Sequence, residues 1–146
     1  MSYFPIYLDM AGRRCLVIGG GAVAERKIAS LLEAGAEVTV ISPDVTETVA
    51  RWSKDGSIQF HARRYERADI HGKELVFVAT NDGSVNAQVH EDARCQGVWV
   101  NAADDPEHCD FILPSVLRRG HLSVAVSSGE RMAQAMSGNV SVRYER

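Results

Sequence analysis

The stretch Cys15 to Lys27, CLVIGGGAVAERK, decides the fold. Cys15-Leu16-Val17-Ile18 is a short apolar run ending at glycine, the pattern of a buried parallel strand. Gly19, Gly21 and Ala24 follow at the spacing G-x-G-x-x-A. From Val23 the period becomes helical: Val23, Ala24, Ile28, Leu31 and Leu32 recur at three and four residues, with charged residues between them. The glycines therefore lie where a strand hands over to a helix, the context in which this spacing reads as a dinucleotide fingerprint. Gly19 allows the tight turn, Gly21 lets a pyrophosphate approach the backbone, and Ala24 lets the helix pack on the strand. The helix-start N–H groups then face an anion. Gly19, Gly20, Gly21, Ala22, Val23 and Ala24 are the expected cofactor-binding segment. The alternative is a glycine-rich turn with no ligand.

Outward from this stretch, strands and helices alternate. Val38 to Ile41 reads as a second strand, and Ser57 to His61 as a third. Leu75 to Ala79 reads as a fourth and Val98 to Val100 as a fifth. Helices are expected from Val23, over Asp44 to about Lys54, and over Ser84 to Cys95, with Val85, Val89 and Ala93 facing the core. This rhythm predicts an α/β fold: a Rossmann-like parallel sheet with helices on both faces. Phe111 to Leu117 and Leu122 to Val126 flank Arg118-Arg119-Gly120-His121 and predict an antiparallel hairpin extension. A helix over Met132 to Met136 completes the pattern. The expected domains are a Rossmann-like nucleotide-binding domain over residues 1–110 and a hairpin extension over residues 111–146 that serves dimerisation.

Ligands of such sheets bind at the carboxyl ends of the strands. Ser42, Pro43 and Asp44 lie about twenty residues past the glycines, where a cofactor ribose is read. Asp44 has a competing role, because Asp44-x-x-Glu47 is also a capping box. No arginine follows closely enough to mark a 2′-phosphate, so NAD is favoured over NADP. Ala79, Thr80 and Asn81 form another cofactor edge. The basic run His61 to Arg67 reads as a solvated connector.

The 146-residue chain carries a net charge of −3, which argues against a general nucleic-acid binder. Three cysteines without a C-x-x-C suggest a reducing compartment. No basic-then-apolar leader or membrane-length apolar run is visible, so a cytoplasmic protein is expected. The five histidines are scattered, and no metal site is expected.

These stretches together resemble the N-terminal module of siroheme synthases, the precorrin-2 dehydrogenase/sirohydrochlorin ferrochelatase family. The resemblance is carried by VIGGGAVAERK (17–27), LLEAGAEVTVISPD (31–44), ATND (79–82), NAADD (101–105), DFILPSVLRRG (110–120) and LSVAVSSG (122–129), in the family's order. It implies NAD-linked oxidation of precorrin-2 to sirohydrochlorin. In some members it also implies insertion of iron or cobalt, a metal ion that passes through as substrate. Family members carry a glycine, serine and proline after the SSG, where this chain has Glu130-Arg131-Met132, and their helical extension is longer. The C-terminal extension therefore reads as shortened.

Asp104 matches the family's catalytic aspartate and is the expected proton acceptor. Asp105, before Pro106, reads as a turn residue. Precorrin-2 is a polycarboxylate. Asn101, the cationic turn Arg118, Arg119 and His121, and the donors Ser127, Ser128 and Gly129 are expected to receive it. A homodimer is expected because the hairpin is apolar on both faces. The competing reading is a non-catalytic module that senses NAD(H).

Overall fold

The computed structural model describes residues 3–127. The expected helix near Met132 lies outside them, as do Ser128 and Gly129. Tyr7–Phe111 forms one compact unit; residues 3–6 and 112–127 belong to a second.

The first unit is the expected parallel α/β sheet. Its elements in chain order are β1 (Arg14–Ile18), α1 (Ala22–Glu33), β2 (Glu37–Ile41), α2 (Glu47–Lys54), β3 (Gln59–His61), β4 (Leu75–Val78), α3 (Gly83–Cys95) and β5 (Trp99–Ala102). The strand order is β3-β2-β1-β4-β5, with every pairing parallel. Alternate side chains on each strand feed two cores. Cys15, Val17, Val38, Val40, Leu75 and Phe77 meet Ala24, Ile28 and Leu31 of α1 and Val49 of α2. Leu16, Ile18, Val76, Val78, Val100 and Ala102 meet Val89 and Ala93 of α3 on the other face. Helices on both faces are thus borne out. β1 and β4, buried on both faces, are apolar throughout their buried length for that reason. No helix among the described residues is long and apolar enough to cross a membrane.

Two local expectations are corrected. The N-cap of α2 is Thr46, whose hydroxyl accepts from the Val49 N–H at 3.3 Å. Asp44 lies two residues too early, so the predicted Asp44–Glu47 capping box does not form. The basic connector is also more than a solvated face. Arg63 grips Asp69 through two bonds of 2.9 and 2.6 Å. A 3-10 turn over Arg67–Ile70 then drives Ile70 into the core.

In the second unit, β6 (Ser115–Arg119) and β7 (Leu122–Val126) pair antiparallel. Pairing continues to Arg119 opposite Leu122, so the turn itself holds only Gly120 and His121. Leu117, Val124, Leu122 and Val126 share one face with Arg119; Val116 and Ala125 share the other with Arg118. Both faces therefore carry apolar residues, as expected, and Val116, Leu117, Leu122 and Val126 are exposed within the chain.

The tightest constraint in the sheet falls on two glycines after β1. Gly19 has φ +117°, and a Cβ there would overlap the Ala79 carbonyl. A Cβ on Gly20 would overlap the Asp44 carbonyl oxygen and lie 2.6 Å from Val45 Cγ1. Gly20→Ala should therefore cost about 1–3 kcal/mol of stability. Gly83→Ala, where a Cβ meets nothing within 4 Å, should be neutral or stabilising by up to about 1 kcal/mol. Denaturant unfolding of the two variants checks both; equal stabilities would remove the packing argument.

Candidate cofactor and proton-transfer site

The carboxyl ends of β1, β2, β4 and β5 are laced together by backbone bonds. Gly19 N–H donates to Ile41 O at 3.0 Å, Thr46 N–H to Gly20 O at 3.0 Å, Ala79 N–H to Ile18 O at 2.7 Å and Ala103 N–H to Val78 O at 2.8 Å. These bonds bring the glycine turn, the Ser42–Asp44 loop, Ala79–Asn81 and the tip of β5 to one edge.

At the glycine turn, α1 begins with Gly21 as its N-cap and no side chain bonded to its first amides. A Cβ on Gly21 would meet nothing within 4 Å, so the amides open onto free space. α3 differs, because Asp82 fills its N-terminus by accepting from Ser84 N–H at 3.0 Å and Val85 N–H at 3.4 Å. The start of α1 is thus an uncapped positive helix end with nothing crowding it. Ala22 and Val23 are exposed in its first turn, and Ala24 is fully buried against the sheet. These residues fit a dinucleotide pyrophosphate.

Ser42 is buried, and its hydroxyl donates to the Asp44 carbonyl oxygen at 2.6 Å, closing the loop. Pro43 and Asp44 are exposed, and no hydrogen bond or ion pair engages the Asp44 carboxylate among the described residues. With the cap taken by Thr46, that carboxylate is available to a ribose hydroxyl. Thr80 accepts from Asp82 N–H at 2.9 Å, and Asn81 is exposed beside it.

The tip of β5 carries Asp104, the one non-glycine residue with positive φ among the described residues, at +58°. Aspartate tolerates this left-handed conformation better than most residues, at a cost the surroundings must hold. Asp105 supplies the hold. Its carboxylate accepts from His108 Nδ1 at 2.8 Å and Asn86 Nδ2 at 3.1 Å. Behind it, the Cys109 thiol donates to Ala102 O at 3.2 Å, and Asp110 accepts from Val100 N–H at 2.8 Å. Asp105 is therefore a clamp as well as a turn residue, while the Asp104 side chain stays exposed.

Asn101 is buried and its amide is engaged: Oδ1 accepts from Lys27 Nζ at 3.2 Å, and Nδ2 donates to Phe111 O at 2.9 Å. Lys27 was not singled out in the sequence. Its signal there was a cation on the edge of the Ala24–Ile28–Leu31 stripe. Burial holds its ammonium below the ordinary lysine range, with Cys109 and Asp104 pulling the other way. The remaining expected substrate residues lie in the second unit. Arg118 and Arg119 belong to β6 rather than to a turn, because a two-residue loop suffices, and they face opposite sides. His121 is exposed at the turn, and Ser127 follows β7.

The comparisons agree with this geometry. A family model described as "Putative NAD(P)-binding" matches residues 6–115, and the chain belongs to that family. The resemblance to siroheme synthases is borne out. A siroheme synthase of Nitrosococcus oceani is 49% identical over 129 residues, 88% of this chain and 28% of the relative. One of Pseudoalteromonas atlantica is 43% identical over the same shares. The chain thus spans little more than a quarter of the curated relatives it matches. The solved structure of SirC, a precorrin-2 dehydrogenase, superposes with a TM-score of 0.75 at 31% identity, covering 86% of this chain and 62% of that one.

Two predictions follow from the loop chemistry. Gly21→Asp keeps an N-cap that aspartate suits, so the fold should hold while the new carboxylate occupies the amides and repels pyrophosphate. NAD affinity by calorimetry should collapse at an unchanged melting temperature; unchanged affinity would detach the motif from the cofactor. The bond from His108, then that from Asn86, holds the Asp105 carboxyl below its usual range. A depressed folded-state pKa adds stability above the unfolded value, about 4, and that stability is lost as pH falls through the lower folded value. The stability advantage of the parent over Asp105→Asn should thus be level above about pH 5 and shrink in stronger acid, in melting curves across that range. A pH-independent difference would show that Asp105 contributes only as a neutral partner.

Proposed function

We propose that this chain binds NAD at the start of α1 and oxidises precorrin-2 to sirohydrochlorin. The observation that carries the reading is the pairing, on one sheet edge, of an uncapped helix start over open space with an exposed carboxylate in a clamped left-handed turn. In this reading the Gly20 to Ala24 segment receives the pyrophosphate, Asp44 takes a ribose hydroxyl, and Ala79, Thr80 and Asn81 border the rest of the cofactor. A free carboxylate at the ribose favours NAD, since it would repel a 2′-phosphate.

Bound NAD supplies the hydride acceptor. Asp104 takes the proton that precorrin-2 loses as the hydride leaves, so two electrons and a proton are accounted for. Its clamped turn fixes the carboxylate before substrate arrives, and Ser42 and Thr80 stiffen the neighbouring loops. Where family members insert iron or cobalt, the metal is a substrate, and the same carboxylate is the candidate acceptor of pyrrole N–H protons. Arg118, Arg119, His121, Ser127, Ser128 and Gly129 remain the proposed polar partners of the tetrapyrrole; the buried Asn101 amide, engaged by Lys27 and Phe111, serves the site indirectly. The exposed apolar faces of the hairpin support a homodimer, and the chain's chemistry suits the cytoplasm.

The test is anaerobic absorbance of precorrin-2 with NAD, for the parent and for Asp104→Asn. Asparagine tolerates positive φ as aspartate does, so the turn survives while the base is lost. Oxidation should fall about 10²–10⁴-fold with NAD affinity unchanged. Parental turnover in the variant would remove Asp104 as the base. No turnover in the parent, with NAD still bound, would favour the sensing module.

A further inference from the structure

Lys27 is a half-buried cation with no ion-pair partner among the described residues. Its side chain leaves α1 and crosses to the carboxyl ends of β4 and β5. There Nζ donates to Asn101 Oδ1 at 3.2 Å and stands 5.8 Å from the Phe77 ring centroid. Phe111 packs edge-on against Phe77 with centroids 5.7 Å apart, and its carbonyl holds the other end of the Asn101 amide. The aromatic pair and the amide thus fix the ammonium in place. An ammonium has three donors, and only one is used among the described residues. Among the described residues no carboxylate lies within ion-pair distance of it and Asp104 acts on it only at longer range, although desolvating an ammonium is costly unless it is paired and hydrogen-bonded. Desolvation accordingly holds its pKa down. Arg13, Arg63 and Arg67 on the same unit are, by contrast, each matched to a carboxylate.

The geometry points to Lys27 as a binding residue for a carboxylate of the substrate, received by its two unused donors beside Asp104. This rests on the proposed oxidation of precorrin-2, a polycarboxylate. A charge-assisted bond at a partly desolvated site anchors the macrocycle next to the base. It also explains why Asn101, at the tip of β5, is turned inward: its amide orients the ammonium and leaves the ligand to the lysine.

The test is fluorescence titration of sirohydrochlorin with the parent and with Lys27→Met, which keeps the packing on Phe77 and removes the charge. Lys27→Arg and Lys54→Met, the latter an exposed lysine on α2, serve as rescue and charge control. Loss of a charged hydrogen bond should raise the dissociation constant about ten- to hundredfold in Lys27→Met. Lys27→Arg should recover part of it, and Lys54→Met should match the parent. NAD affinity should be unchanged throughout. Parental affinity in Lys27→Met, or loss of NAD affinity in its place, would overturn the assignment. If the parent oxidises precorrin-2 while Lys27→Met binds like it, only the role of Lys27 falls. If the parent neither oxidises precorrin-2 nor binds sirohydrochlorin, the functional reading falls and the lysine's ligand with it.

Discussion

The site depends on how closely two backbone segments approach the end of β1. Ala79 presses on Gly19 from one side and Asp44 on Gly20 from the other, closer than any side chain allows. That contact sets the β2–α2 and β4–α3 loops at the same height as the start of α1. It also leaves Gly21, the third glycine, with nothing near it. Two glycines are thus needed for packing and the third for access. The uncapped, open helix start is what remains once the packing is satisfied.

The same edge separates its charges by structural role. Asp82 and Asp105 are committed, one to capping α3 and the other to clamping the β5 turn. The carboxylates of Asp44 and Asp104 stay exposed and accept no hydrogen bond among the described residues. Four aspartates that look alike in sequence therefore divide into two that hold the loops and two whose carboxylates are left open at the edge. Local bonding makes the division: Asp82 meets the amides of its own helix, and Asp105 meets Asn86 and His108.

The sheet was legible because its cues are local. The β1–α1 handover, the apolar runs of β4 and β5 and the helical stripes each declare themselves within a dozen residues. The N-cap of α2 was misplaced because Asp44 carries the capping-box spacing to Glu47 while Thr46, also a favoured N-cap residue type, does not, and only the chain's path from Gly20 selects Thr46. The arginines of the hairpin were assigned to a turn because sequence does not show how far pairing runs before the chain reverses. Lys27 and Asp105 were under-read for a different reason. Their partners, Asn101 and Asn86, lie 74 and 19 residues away, and no periodicity reports such contacts.

The central claim is that NAD is held by the backbone at the start of α1. The most direct measurement is the amide chemical-shift response of the chain to added NAD. The account predicts large shifts at Gly20 to Ala24, smaller ones at Asp44 and at Thr80 and Asn81, and none at Glu37 or Glu74 on the opposite edge of the sheet. Shifts centred away from the glycine turn, or none at saturating NAD, would contradict it.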